Sequence, residues 1–165
     1  MKIDMKSDAD VDANAGRNNT NNGNNNNIDL SQGFVTGTAP GRILVVDDDP
    51  DVLFSLTTVL RDAGYVVHPY DSPITALKEY KPGAFDLLVL DVKMSEINGF
   101  ELYRKIKAED RMARVCFLTA GETYFNEFMR LFPDLDERNY ILKPVENQQL
   151  LKRASTIIDS KNQES

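Results

Sequence analysis

Residues 86–91 read Asp-Leu-Leu-Val-Leu-Asp, and the chain continues with Val-Lys-Met-Ser-Glu-Ile-Asn-Gly at residues 92–99. A short apolar run without helical spacing is typical of a strand that is buried on both faces of a sheet. The run ends at Asp91, which places a carboxylate at the carboxyl edge of that sheet. Open α/β sheets bind their ligands at this edge, although an aspartate at a strand end can also do no more than begin a turn.

The same pattern, an apolar strand followed by an amphipathic helix, repeats along the chain. Pro50 follows Asp49, which is the signature of a helix N-cap with proline at the first helical position. The patterns predict strands at 43–46, 65–70, 86–91, 114–119 and 139–142, and helices at 50–63, 72–81, 99–110, 122–132 and 146–159. Pro69 indicates that the second strand lies near a sheet edge. Alternating strands and helices predict an α/β fold with a doubly wound parallel sheet, in the flavodoxin-like strand order 2-1-3-4-5.

The chain has 165 residues, which suits one folded domain with an extension. Residues 1–40 are polar and contain an asparagine-rich run at 18–27, so we expect a disordered N-terminal arm. Self-association through this run is the alternative. The folded domain is then expected over residues 41–160, with a disordered C-terminal tail at 161–165.

Charge, cysteine content and hydropathy exclude several classes of protein. A net charge of −7, with an arm that is itself acidic, argues against nucleic-acid binding. No segment has the apolar length of a signal peptide or a membrane span, so we expect a cytoplasmic protein with no membrane contact. The single cysteine, Cys116, lies in an apolar run and is predicted to be a buried core residue. The single histidine, His68, has no partners for a zinc site.

Polar residues follow four of the five predicted strands. Asp47 and Asp48 follow the first, Asp91 ends the third, Thr119 ends the fourth, and Lys143 follows the fifth. Three carboxylates at one edge repel each other, and a bound Mg²⁺ removes that conflict. A cation, an ammonium group, a hydroxyl and a nucleophilic carboxylate are the components for forming an aspartyl phosphate. Taken singly, Thr119 can be a strand terminus and Lys143 a solvated surface charge.

At this point residues 41–159 resemble the receiver domain of two-component response regulators. The resemblance rests on the acidic pair after the first strand, the segment 90–94 that leads to Asn98-Gly99, the Thr119-Ala120 pair, and Lys143-Pro144 with Tyr140 three residues earlier. It implies a receiver that accepts a phosphoryl group on Asp91 from a histidine kinase or phosphotransfer protein. Because the patterns predict no output domain, we expect a stand-alone receiver that is either an intermediate in a phosphorelay or a switch that binds another protein. Such a protein is a signalling module, not an enzyme acting on other substrates.

The resemblance also implies a role for each matching residue. Mg²⁺ would be held by Asp47, Asp48, Asp91 and the backbone carbonyl of Lys93. Thr119 would bond the phosphoryl group, and Lys143 would neutralise it. Tyr140 would turn inward with Thr119 and remodel the surface formed by the fourth helix, fifth strand and fifth helix, and the bond before Pro144 would be cis. A monomer or a phosphorylation-dependent dimer is expected. Tyr140 can alternatively be an edge-strand aromatic without a switching role.

Two positions depart from the family pattern. Ser95 stands where the family usually has proline, and we expect this to loosen the loop after Asp91 without affecting its chemistry. Lys93 places a positive side chain beside the path by which water would attack the acyl phosphate. We therefore predict that Lys93→Ala changes the dephosphorylation rate, and an unchanged rate would contradict this prediction.

Three other functions compete with a phosphorylated receiver. A phosphohydrolase with an aspartyl-phosphate intermediate, of the kind that resembles haloacid dehalogenases, needs a second acid where this chain has Lys93. A nucleotide-binding module needs a glycine-rich loop where this chain has Asp47-Asp48-Asp49-Pro50. A degenerate receiver that accepts no phosphate is disfavoured because all the expected site residues are present.

Overall fold

The computed structural model describes residues 41–121 and 123–160, and the predictions for the arm and the tail lie outside them. Strands and helices alternate through this part of the chain as predicted. The strands are β1 Arg42–Val46, β2 Val66–Tyr70, β3 Leu87–Asp91, β4 Val115–Thr119 and β5 Tyr140–Leu142. The helices are α1 Pro50–Asp62, α2 Pro73–Glu79, α3 Gly99–Glu109, α4 Thr123–Leu131 and α5 Asn147–Asp159.

The five strands form one parallel sheet in the order β2-β1-β3-β4-β5, which confirms the predicted topology. Pro69 lies on β2, an edge strand, where its missing N–H costs no ladder hydrogen bond. The register pairs Val46 with Leu90 across β1 and β3, so the residues that follow β1 lie beside the end of β3. The chain therefore brings its first acidic pair next to Asp91.

Alternate residues of each strand pack into two separate hydrophobic cores, one on each face of the sheet. Leu88, Leu90 and Phe117 face the core covered by α2, α3 and α4. Val89 and Cys116 face the core covered by α1 and α5. Burial raises the pKa of the Cys116 thiol to about 12, so this cysteine is the inert core residue that was predicted.

Side-chain caps determine where the helices begin. The Asp49 carboxylate accepts hydrogen bonds from the N–H groups of Asp51 and Val52, which confirms it as the N-cap of α1. Asn98 caps α3 in the same way, because its side-chain oxygen accepts a hydrogen bond from the N–H of Glu101. Gly99 is required at the next position, because a Cβ atom there would lie 2.2 Å from the backbone oxygen of Asp91. This close approach holds the start of α3 against the end of β3.

The boundaries of most elements differ from the prediction by one or two residues, and one element was missed. A 3-10 turn, Glu137–Asn139, precedes β5, so Asn139 is not a strand residue as predicted. Asp136 caps this turn, and the Asn139 amide donates to the carbonyl of Val115 at 2.7 Å. Within residues 41–121 and 123–160, no helix has the length and apolarity to span a membrane.

Candidate functional site

The carboxyl edge of the sheet collects the predicted site residues. Asp47, Asp48 and Asp91 each offer a carboxylate oxygen, and the three oxygens lie within 4.8 Å of one another. Lys143 Nζ donates to Asp47 Oδ2 at 2.7 Å and lies 3.1 Å from Asp91 Oδ1. The peptide bond between Lys143 and Pro144 is cis. One ammonium group thus bridges carboxylates that follow two neighbouring strands.

Asp91 is a buried carboxylate with an unfavourable environment for its charge. Only 5% of the residue is exposed. Burial raises the pKa of Asp91 to about 6, Lys143 opposes this rise, and the negative charge of Asp47 adds to it. The pKa of Lys143 is raised, because the attraction of Asp47 and Asp91 outweighs the effect of its own burial. A positive lysine and an acid of raised pKa are therefore fixed side by side.

Asp48 is held by the loop that follows β3. Both the N–H and the Oγ of Ser95 donate to Asp48 Oδ2, at 2.7 and 2.9 Å. These bonds, led by the one from the Ser95 backbone, keep the pKa of Asp48 below its usual value despite some desolvation. Ser95 therefore contacts the site through two donors that a proline would lack, a contact that the sequence did not predict. The effect of Ser95 on the looseness of the loop and on the chemistry of Asp91 stays a prediction.

The donor set fits a divalent cation. Three carboxylate oxygens within 4.8 Å offer the hard oxygen ligands that Mg²⁺ prefers. The arrangement is asymmetric, because both oxygens of Asp47 already accept hydrogen bonds, from Lys143 and from the N–H of Asp49 at 3.0 Å. The Lys93 side chain is exposed two residues beyond Asp91, and its carbonyl as a ligand remains a prediction.

Thr119 ends β4 and is fully buried. Its hydroxyl has no hydrogen-bond partner among the described residues. Leaving a buried hydroxyl unpaired costs about 1–3 kcal/mol, and such a group at a site edge is a donor available to a ligand. The N–H of Lys143 donates to the Thr119 carbonyl at 2.7 Å, which connects β4 with the residue that follows β5.

Tyr140 is buried, with 6% of the residue exposed. Its hydroxyl donates to the Gly121 carbonyl at 3.0 Å, and its ring centroid lies 5.3 Å from those of Phe125 and Phe128 on α4. The tyrosine therefore links β5 to α4 and to the loop after β4. This position suits the predicted switching role, and it equally suits an aromatic residue that only packs.

A family model described as "Response regulator receiver domain" matches residues 43–155. The chain belongs to this family. Receiver domains are signalling modules of two-component systems, and the family match confirms the resemblance drawn from the strand-end residues. It also favours a receiver over the phosphohydrolase and the nucleotide-binding module, which the sequence had left as alternatives.

Curated relatives are longer regulators. The transcriptional regulatory protein PrrA of Mycobacterium tuberculosis is 32% identical over 123 residues, covering 74% of this chain and 52% of PrrA. The transcriptional regulatory protein CusR of Escherichia coli is 27% identical over 117 residues, covering 71% of this chain and 51% of CusR. The chain thus spans about half the length of the curated relatives it matches.

Solved structures show the same fold. The response regulator protein TrrA from Thermotoga maritima, in complex with Mg²⁺-BeF, superposes with a TM-score of 0.60 at 29% identity, covering 71% of this chain and 98% of TrrA. The non-phosphorylated HemR receiver domain from Leptospira biflexa gives a TM-score of 0.61 at 30% identity, covering 72% and 94%. A complex of Mg²⁺ with a receiver of this fold agrees with the donor set seen here.

Sequence reasoning found the residues at the strand ends but missed their partners in the loops. The two bonds from Ser95 to Asp48 join residues 47 positions apart. A signal for them was available, since a serine follows β3 by four residues and β3 lies beside β1. Ser95 stands where the family usually has proline, so this residue itself indicated that the loop differs from the family pattern.

Proposed function

We propose that this chain is a phosphorylatable receiver in which Asp91 accepts a phosphoryl group from a histidine kinase or a phosphotransfer protein. The observation that carries the proposal is the buried Asp91 carboxylate, at the end of β3, within reach of two further carboxylates and the Lys143 ammonium group. Each of these groups has a part in moving a phosphoryl group onto an oxygen nucleophile.

The nucleophile is the ionised form of Asp91. With a pKa of about 6, the carboxylate is mostly charged at neutral pH. One of its oxygens forms the bond to phosphorus as the bond between phosphorus and the donor imidazole nitrogen breaks. The imidazole keeps the electron pair of that bond and takes up a proton from solvent. The reaction exchanges one phosphoryl acceptor for another, so it needs no further co-reactant.

The neighbouring side chains stabilise the charge that the phosphoryl group brings. Mg²⁺, held by Asp47, Asp48, Asp91 and the carbonyl of Lys93, would neutralise the phosphoryl oxygens when bound. Lys143 supplies a fixed positive charge beside Asp47 Oδ2 and Asp91 Oδ1. The Thr119 hydroxyl, unpaired among the described residues, lies at the end of the neighbouring strand and would donate to a phosphoryl oxygen.

The output of the domain is a change in the surface formed by α4, β5 and α5. Phe125, Met129 and Leu142 are apolar side chains of this surface, and they are 36%, 44% and 41% exposed. The Thr119 carbonyl accepts a hydrogen bond from the N–H of Lys143, so movement of Thr119 toward a phosphoryl group would also shift Lys143. The strand that precedes Lys143, β5, would shift with it and carry Tyr140 along. A partner protein that binds this surface would then distinguish the two forms.

Phosphorylation is tested by incubating the chain with MgCl₂ and acetyl phosphate and locating the modification by mass spectrometry. We expect a base-labile phosphoryl group on Asp91 that is lost in Asp91→Asn and when the metal is removed with EDTA. A modification elsewhere, or none in the wild-type chain, would contradict the proposal and favour a degenerate receiver.

The switching role of Tyr140 needs a separate measurement. Proteins retained by the immobilised chain with and without Mg²⁺ and beryllofluoride are compared for wild type and Tyr140→Ala, and the eluted chain is sized by gel filtration. We expect beryllofluoride to change the retained partners or the dimer fraction in the wild type only. The same response in Tyr140→Ala would assign Tyr140 a packing role.

A further inference from the structure

The loop between β3 and α3, residues 92–98, crosses the carboxyl edge of the sheet and carries Ser95. Two donors of this residue, the backbone N–H and the hydroxyl, meet the same acceptor atom, Asp48 Oδ2. A carboxylate held through one oxygen by two hydrogen bonds has a fixed plane. Its other oxygen, Oδ1, is not engaged by Ser95, so the contact orients the carboxylate without covering it.

The loop itself is fixed on both sides of Ser95. The next residue, Glu96, has a φ of 69°, a left-handed conformation that residues other than glycine rarely adopt. Its carboxylate accepts a hydrogen bond from the Ser72 hydroxyl at 3.1 Å, and the N–H of Gly99 donates to the Val92 carbonyl at 3.0 Å. These contacts keep Ser95 in place, so the two bonds to Asp48 start from an anchored segment.

We propose that Ser95 is a positioning residue for the cation site, holding the Asp48 carboxylate in the orientation in which it binds Mg²⁺. The inference rests on the proposed function only in taking Mg²⁺ as the cation. Groups that hydrogen-bond to a metal ligand fix its direction, and removing them typically lowers metal affinity by about 10- to 100-fold. Proline at this position would offer neither donor.

The test measures Mg²⁺ affinity in the unphosphorylated full chain, by calorimetric titration with MgCl₂ and by amide chemical shifts, with no phosphodonor present. Ser95→Ala removes one of the two donors, and we expect affinity to fall by several-fold. Ser95→Pro removes both, and we expect a loss of about tenfold or more. Ser95→Thr keeps both donors and should retain wild-type affinity, which separates the hydrogen bonds from a general sensitivity of the loop.

Ser155→Ala is the matched control, because it deletes a serine hydroxyl that donates to the Lys152 carbonyl within α5, rather than to this loop or to Asp48. We expect it to bind Mg²⁺ like the wild type, and urea unfolding confirms that each variant is folded. Unchanged or tighter binding in Ser95→Ala would overturn the inference, since tighter binding means that Ser95 competes with the cation. If the wild type binds no Mg²⁺, both this inference and the proposed function fail; if it binds and is phosphorylated, only the inference is at stake.

Discussion

Asp91 and Asp110 are two buried aspartates of one domain with opposite surroundings. Asp110 lies between α3 and β4, where its carboxylate accepts hydrogen bonds from the Tyr80 hydroxyl at 2.7 Å, the Gly83 N–H at 2.8 Å and the Met112 N–H at 3.0 Å. The Asp91 carboxylate has Lys143 on one side and the carboxylates of Asp47 and Asp48 nearby. Asp110 is 8% exposed and Asp91 is 5% exposed, so burial alone does not distinguish them.

Their pKa values move in opposite directions. Burial raises the pKa of Asp110, but the bonds from Gly83, Tyr80 and Met112 outweigh it and lower the pKa below its usual value. Burial raises the pKa of Asp91 to about 6, and Lys143 only partly offsets this. A carboxylate surrounded by donors joins two loops and stabilises the fold. A carboxylate placed among other acids is unstable when charged, and is therefore ready to bind a cation or a phosphoryl group.

The largest effect is expected for Asp110→Ala. The substitution leaves three donors without their acceptor, and we expect the free energy of unfolding to fall by about 3–4 kcal/mol. Urea unfolding at pH 7 measures the loss. Asp134→Ala removes an exposed carboxylate and should change stability by less than about 0.5 kcal/mol. Because the pKa of Asp110 is lowered, its contribution is present above the unfolded value and should fade as the pH falls below about 4. Equal effects of the two substitutions would break the comparison.

Asp91→Asn should change the free energy of unfolding in the opposite direction, as an increase. The pKa rises from 3.8 to about 6 in the folded protein, so the charged form opposes folding by about 2–3 kcal/mol above pH 6. Without Mg²⁺, we expect the variant to be more stable than the wild type by about this amount at pH 7.5, with little difference at pH 4. Asp71→Asn, at an exposed residue, is the control. A destabilised Asp91→Asn at pH 7.5 would contradict the account of the site.

Tyr80→Phe tests the donor side of Asp110 with one hydroxyl. Losing a hydrogen bond to a charged acceptor should lower the free energy of unfolding by about 1.5 kcal/mol, measured by urea unfolding. The reference is Tyr65→Phe, since the Tyr65 hydroxyl makes no hydrogen bond within the described residues, 41–121 and 123–160. If both variants lose the same stability, the bond to Asp110 contributes nothing of its own.

Thr119→Val deletes a hydroxyl at the carboxyl end of β4, and here we expect the free energy of unfolding to increase. The hydroxyl is buried without a partner among the described residues, so its removal should raise stability by about 1 kcal/mol. Thr57→Val on α1 removes the other buried hydroxyl in the same condition and should give a similar gain. Only Thr119→Val should weaken beryllofluoride binding. A loss of stability in Thr119→Val would mean that its hydroxyl is paired in solution.

Much of the fold could be predicted, because the signals were local. Five short apolar runs, each followed by an amphipathic helix, indicated parallel strands, and the order of the sheet followed from right-handed crossovers. The turn Glu137–Asn139 was missed because its cap, Asp136, lay in a segment with no apolar period. The network around Asp110 was missed because it joins Tyr80 and Gly83 to a residue that reads as a helix end.

The sequence by itself determined which residues stand at the strand ends, because strand periodicity and parallel topology together assign each of them to the carboxyl edge of the sheet. Only the tertiary structure decided how these residues are paired. Lys143 reaches Asp47 across 96 positions of the chain, and Ser95 reaches Asp48 across 47. Whether two polar groups lie within about 3 Å depends on how strands, helices and loops pack, and hydrogen bonds form only at such distances.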